Sequence, residues 1–312
     1  MNGQSTSHAQ EPALDHTDIA ALNLLDPGAV DWSRVRRTAY LIHQRFRYEY
    51  PGPIHDLCQR LIIVPPPTHG DQRYIVHRLE VSAPHATTVA HADEFGNGVI
   101  TVTVPTVEQA IDFEAWIVVE RRAGATPHLL PSATLSDQRL LRSSPLTRPD
   151  AALTSAAAAL AAAGPGGLDL AERINAWTYR ALGYAHEVTD IHTPAAEALV
   201  LGRGVCQDYA HIMLTLCRLC GLPARYVSGH LLGEGGTHAW VEALLPGPTG
   251  EAVVYAFDPT HDRRATLGYI TVAVGRDYLD VAPTSGTFRA SHRGLLSARK
   301  RVDLTEVEYS PL

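Results

Sequence analysis

The segment Gly202-Arg-Gly-Val-Cys206-Gln-Asp-Tyr-Ala-His211 constrains this chain more than any other, because it opens a helix on a cysteine. Ala210, Met213, Leu214 and Cys217 follow at helical spacing, and Gly221 with Pro223 supplies a stop. Cys206 therefore falls in the first turn. Unpaired backbone N–H groups and the positive end of the helix dipole favour an anion there. The glycines flanking Arg203 let the backbone turn sharply and leave room for a substrate. A thiolate becomes an acyl-transfer catalyst only with a base to exchange protons and a third group to orient that base.

Both partners are present downstream, in order. Thr237-His238-Ala-Trp240-Val-Glu242-Ala-Leu-Leu reads as a strand from its alternation, with His238 near its beginning. Tyr255-Ala-Phe257-Asp258-Pro259-Thr260 reads as the end of another strand, closed by a proline that cannot continue regular pairing. The expected roles are Cys206 as nucleophile, His238 as proton shuttle and Asp258 as the group that holds the imidazole by one ring nitrogen.

With these residues in place the chain resembles the transglutaminase-like superfamily, in its bacterial branch. The resemblance rests on Gly202 to His211, Gly221-Leu-Pro-Ala-Arg-Tyr-Val-Ser-Gly229, His238-Ala-Trp240 and Asp258-Pro-Thr260, with Val274-Gly-Arg-Asp-Tyr278 and Asp280-Val-Ala-Pro283 extending it. Upstream, Tyr40-Leu-Ile-His-Gln-Arg-Phe-Arg-Tyr48 and Asp93-Glu-Phe-Gly-Asn-Gly-Val99 are similar to the β-rich domain that often precedes this core. The resemblance implies an α+β fold. An N-terminal β-sheet or sandwich-like domain leads into a papain-like core, whose Cys-bearing helix packs on an antiparallel sheet carrying His and Asp. It implies no cofactor.

Composition agrees with a globular chain of about two domains: 312 residues, 45% hydrophobic and 19% charged. A formal charge of -7, with no Lys or Arg run that rises above a solvated surface, gives no reason to expect nucleic acid or an anionic membrane as partner. No apolar stretch reaches the ~18 residues of a membrane span, and Met1-Asn-Gly-Gln-Ser-Thr-Ser-His lacks the basic and apolar regions of a secretory signal. The cytoplasm is the expected compartment. The sequence is silent on oligomeric state.

Four segments follow along the chain. Residues 1–34 read as a polar N-terminal extension. Residues 35–122 form a β-rich domain with apolar runs at 61–64, 78–81, 99–104 and 116–120 and a hairpin-type turn at Asn97-Gly98. Residues 123–167 form a connector holding an Ala-rich helix, which ends at Gly164-Pro-Gly-Gly167. Residues 168–312 form the catalytic core with the C-terminal strands, and its first helix, from Leu168, is placed to pack behind the Cys206 helix.

Other candidates carry competing readings. His211 lies five residues after Cys206, turned by about 140° around the helix, so a structural hydrogen bond explains it better than a role as base. Asp208 sits in the first turn, where the dipole favours a carboxylate without catalysis. Trp240 either walls an acyl channel, or donates its indole N–H to an oxyanion, or is a core tryptophan. The Cys206 backbone N–H is the preferred oxyanion donor. Tyr184 and Arg276 are candidates for lining the cleft, with an Arg276–Asp277 ion pair or turn as the structural alternative. Cys217-Arg-Leu-Cys220 has redox or metal spacing, but no second pair completes a zinc site and core packing is expected. The 16 histidines are scattered, with no HExxH or HxH motif, and no acidic calcium loop is evident, so no metal is expected.

The implied chemistry is attack of Cys206 on a peptide or side-chain amide carbonyl, leaving a thioester. Water then gives a peptidase or amidase, the favoured outcome; an amine gives a transglutaminase or peptide ligase. A peptide or protein is the expected partner. A binding module that keeps the cleft without catalysis is the reading from a different class.

Overall fold

The structure is a computed structural model describing residues 15, 17, 19, 22–124 and 127–311. Most of the extension expected over 1–34 lies outside the described residues. Its described end turns once at Pro27–Ala29, and Leu25 bridges to Leu304.

Period-two patterning builds the N-terminal part. Its strands are β1 (Val35–Glu49), β2 (Ile54–Leu61), β3 (Thr68–His69), β4 (Gln72–Val81), β5 (Thr87–Ala92), β6 (Gly98–Val107) and β7 (Ala110–Arg122). In β7, Ile111, Phe113, Ala115, Ile117 and Val119 are buried, while Asp112, Glu114 and Glu120 on the other face stay partly exposed. One antiparallel sheet runs β1-β7-β4-β3 and a second runs β2-β6-β5. Their apolar faces share one core, with Tyr40, Ile42 and Phe46 from the first sheet meeting Ile54, Leu57 and Val102 from the second.

The core sheet comprises β8 (Leu129–Leu130), a two-residue parallel pair β9 (Gly183–Tyr184) and β10 (Arg203–Gly204) beside it, then β11 (Ala224–Leu231), β12 (His238–Pro246), β13 (Ala252–Asp258), β14 (Arg263–Arg264) and β15 (Tyr269–Gly275). The order is β14-β13-β12-β11-β15, with β8 also on β13. Central β12 is buried on both faces. Ala239, Val241 and Ala243 join the helical core, whereas Trp240 and Leu244 belong to clusters on the opposite face.

Against the first face lies the helix Cys206–Leu219, buried along nearly its whole length. The helix Leu168–Ala181 packs behind it through Leu170, Ala171 and Ile174, as its apolar spacing predicts. The Ala-rich helix Ala151–Ala162, counted above with the connector, buries Leu153, Ala157 and Leu160 in the same core. Its small side chains let two helices approach, which composition alone does not reveal.

The chain end also departs from the boundary drawn at 168–312. Here β16 (Thr284–Arg289) pairs with β2 and β17 (Leu295–Tyr309) pairs with β1 along most of its length. Both N-terminal sheets would otherwise end on exposed edges there, so the last strands complete them. Two buried amides fasten the halves together. Gln72 Nε2 donates to Thr271 O at 2.7 Å, and its Oε1 accepts from Thr271 N at 2.8 Å. Asn97 treats Val274 the same way, both bonds being 2.8 Å. The free edge of β15 is thereby satisfied by side chains, and Asn97, read above as a turn residue, is a docking residue.

Candidate active site

Cys206 is delivered by a helix start that is itself fixed by Asp208. Val205 precedes the helix in an extended conformation, and its N–H donates to Asp208 Oδ2 at 2.8 Å. Thr189 Oγ1 donates to the same oxygen at 2.7 Å. Burial raises the Asp208 carboxyl above its ordinary value against these hydrogen bonds. At Gly204 an added Cβ would lie 2.5 Å from Asp208 Oδ2, so only glycine permits this cap. The parallel pairing of Gly204 with Tyr184 then brings the tyrosine alongside.

His238 is the first residue of β12, paired with Gly229 on β11. Glycine is required at 229, because the Trp240 ring and the Ile270 carbonyl occupy the space of a Cβ. Asp258 is the last residue of β13, one step beyond the Val241–Phe257 pair. The two side chains meet: His238 Nε2 lies 2.8 Å from Asp258 Oδ2. Asp258 is fully buried, and its Oδ2 also accepts from Tyr269 Oη at 2.6 Å and faces His261 Nδ1 at 2.7 Å. Its Oδ1 accepts from Thr260 N at 2.9 Å. Burial alone would raise this carboxyl, but the hydrogen bonds and charge from His238, with Tyr269 and His261, hold it well below the usual carboxylate range.

On the His238 ring burial works downward and is overcome. Hydrogen bonds to Asp258 and to the Cys206 sulfur, with the negative charge of both, push it up to about 10. The carboxylate holds the ring by Nε2 and the Cys206 sulfur is near enough to act on it, the order expected of a nucleophile, a base and its orienting group. His261 and Tyr269 were not foreseen. Neither lies in a strand motif with the others: His261 reaches the carboxylate from the turn just after Asp258, and Tyr269 from the first position of β15.

A cleft of about 740 Å³ opens in front of the imidazole, lined by Tyr184, His186, Tyr209, Glu234, His238 and His261 among others. Tyr184 lines it as expected, and burial followed by the Cys206 charge pushes its phenol up to about 12. Glu234, in the turn between β11 and β12, was also not foreseen. Its two carboxylate oxygens lie 3.3 Å from His238 Nδ1 and 3.3 Å from His261 Nε2.

Trp240 and Arg276 lie elsewhere than the cleft wall. Trp240 is 1% exposed and sits behind the imidazole, with ring centroids 6.2 Å from His238 and 5.4 Å from Tyr269. Strand alternation puts it on the same face as His238 but one step inward, so it supports the ring from the core. Arg276 forms an ion pair with Asp280 at 2.8 Å, and Asp277 caps the short helix Tyr278–Val281 by accepting from Leu279 N. A turn following β15 therefore claims both. His211 makes the structural hydrogen bond expected of it: Tyr278 N donates to Nε2 at 3.2 Å, and burial lowers the ring to about 3. Cys217 is fully buried and pushed up to about 12, while Cys220 Sγ reaches Ala157 O at 3.6 Å. All four cysteines are free.

Comparison with known proteins accords with this geometry. The model of the transglutaminase-like superfamily matches residues 154–251, and that of the bacterial transglutaminase-like N-terminal region matches 40–120. The chain belongs to the transglutaminase-like superfamily. An uncharacterized protein of Mycobacterium leprae is 40% identical to this transglutaminase-like chain over 42% of it and 48% of the relative. One from Mycobacterium tuberculosis is 38% identical over 38% of the chain and 40% of the relative. The matched segment thus spans less than half of these relatives. A solved structure from Cytophaga hutchinsonii, named as a candidate cysteine protease, superposes with a TM-score of 0.71 at 20% identity, covering 89% of this chain and 94% of that one. It shares the fold. The transglutaminase-like core supports a cysteine-dependent enzyme.

Proposed function

We propose that this transglutaminase-like protein transfers acyl groups from peptide or side-chain amides through Cys206, His238 and Asp258, with water as the usual acceptor. The observation that carries the reading is the His238 ring, whose Nε2 lies 2.8 Å from Asp258 Oδ2 and which is near enough to Cys206 for the sulfur to help push the imidazole up. Cys206 Sγ adds to the amide carbonyl carbon, and the oxyanion faces the Cys206 N–H at the helix start. His238 passes a proton to the nitrogen as the C–N bond breaks, releasing an amine and leaving a thioester. His238 next takes a proton from water as its oxygen adds to the thioester carbonyl. Loss of the thiolate frees the acid. Asp258 keeps the ring oriented and stabilises its charged form throughout.

One feature supports a second reading, in which an amine replaces water. Glu234 places a carboxylate in the cleft within 3.3 Å of His238 Nδ1, where an incoming ammonium group would be attracted before it loses a proton. The compartment we propose is the cytoplasm, which suits four free cysteines.

Mass spectrometry of the wild type and Cys206→Ala after iodoacetamide treatment, and after incubation with a peptide-amide library plus a primary amine, tests the proposal. Selective labelling of Cys206 with cleaved peptides or with side-chain amides converted to acids supports hydrolysis. Amine-linked products replace it with transglutamination. Labelling of Cys206 no faster than Cys58, Cys217 or Cys220, with no Cys206-dependent product, leaves a binding module.

A further inference from the structure

A second cluster of chemistry-bearing side chains lies along β12 from the catalytic histidine. Glu242 follows His238 by four residues on the same strand face, about 13 Å away by strand rise. His69 comes to it from β3, at the edge of the N-terminal sheet, and His128 from the segment just before β8. Three parts of the chain that are remote in sequence thus converge on one point, which is why no spacing motif announces it.

We propose that His69, His128 and Glu242 bind one divalent transition-metal cation of the zinc class, joining the N-terminal sheet and the connector to the strand that carries His238. One ligand atom from each residue falls within 4.8 Å of the other two. His69 Nε2 lies 2.7 Å from Glu242 Oε1, and the two imidazole rings meet edge-on with centroids 4.6 Å apart at 73°. A tetrahedral zinc with bonds of ~2.0–2.2 Å needs ligand atoms about 3.3–3.5 Å apart, which side-chain rotations supply from these positions. The other carboxylate oxygen, Oε2, accepts from Arg225 Nε at 2.6 Å. That contact orients the carboxylate and leaves Oε1 as a single donor, the usual task of an outer-shell partner. Two imidazoles and one carboxylate suit zinc and its neighbours rather than calcium or magnesium. An adjoining cavity of about 240 Å³, lined by these three residues with Asp71 and Tyr269 among others, has room for a water as the fourth ligand. Arg225 shares the carboxylate, so the expected affinity is micromolar rather than that of a bare three-ligand site.

The test uses full-length protein stripped with a chelator, then titrated with zinc and with cobalt. Cobalt is followed by its visible ligand-field absorption and zinc by calorimetry. The expected result is one ion per chain, with affinity falling more than tenfold in His69→Gln and in His128→Gln while circular dichroism stays native. Glu242 is left intact, because its removal would strand the buried Arg225. Cys206→Ala/His261→Gln serves as the reference, since His238, Asp258 and His261 form another cluster of ligand spacing. Retention of the ion there supports the proposal. Loss of the ion only in that reference variant overturns it, as does binding by wild type no tighter than by His69→Gln/His128→Gln; the three residues are then a hydrogen-bonded cluster and nothing more.

Discussion

Tyr269 donates its phenolic hydrogen to Asp258 Oδ2 across 2.6 Å, on the same oxygen that His238 Nε2 approaches at 2.8 Å. Arg263 Nε in turn donates to the Tyr269 oxygen at 2.7 Å. A cation, a phenol and a carboxylate therefore stand in line behind the imidazole. The phenol is pushed above its ordinary value by burial and by Asp258, so it stays protonated and remains a donor.

Tyr269→Phe keeps the ring against Trp240 and removes only that donor. A hydrogen bond to a charged group contributes about 1.5–3 kcal/mol, part of which His261 retains. The expected outcome is a fall of about tenfold in the iodoacetamide rate constant of Cys206 at neutral pH, with a loss of stability of about 1–2 kcal/mol. An unchanged rate would show that Asp258 holds His238 without help from the phenol.

The His238 and Asp258 shifts give stability a definite pH dependence. His238 rises from 6.5 to about 10 on folding, so its stabilising effect is complete below the unfolded value and drains away as pH climbs toward 10. Asp258 is depressed from 3.8, so its effect is present above that value and lost as pH falls through the lower folded one. Urea unfolding at pH 6, 8 and 10 should show wild type losing a few kcal/mol more than His238→Asn over the alkaline half. Parallel curves for the two proteins would rule out a charged imidazole in the folded state.

The sequence carries the proposed triad because each of its three residues sits where an element starts or stops. Cys206 opens a helix, His238 opens a strand and Asp258 closes one before a proline. Such positions are marked by local glycine, proline and periodicity. Tyr269, His261 and Glu234 have no comparable mark, since their roles arise from neighbours across the sheet or across a turn. The same reason hid the return of β16 and β17 to the N-terminal sheets. An alternating strand reads alike whichever edge it joins, and only pairing registers such as Tyr40 with Leu304 assign it.

Gly204→Ala forces a Cβ against Asp208 Oδ2 and its Cβ, at 2.5 and 2.8 Å. The carboxylate caps Val205 N, so the clash displaces the helix start that carries Cys206. A loss of about 1–3 kcal/mol in stability is expected, with a drop in Cys206 alkylation. Asp208→Asn should separate the two effects. Burial raises the Asp208 carboxyl, which means that its charge costs stability above the unfolded value. The neutral isostere keeps an acceptor for Val205, so it should unfold within about 0.5 kcal/mol of wild type at pH 7 or later in urea. A collapse of Asp208→Asn like that of Gly204→Ala would mean that the charge itself holds the helix start.

Glu234 bears on which substrates enter. Its side chain is 44% exposed, yet it reaches His238 and His261 at 3.3 Å each from the edge of the cleft. Solvent screens such a group, so its attraction for a cationic substrate side chain is on the order of 1 kcal/mol, or about fivefold in kcat/KM. Peptide amides that differ only by Lys or Gln beside the scissile bond should therefore differ about fivefold with wild type at low salt. Glu234→Gln should erase most of that difference, and so should high salt. If the preference persists in Glu234→Gln, the cleft reads charge through another residue. If the variant instead leaves cleavage intact while suppressing amine-linked product, Glu234 acts on the acceptor and the amine reading of the site gains over hydrolysis.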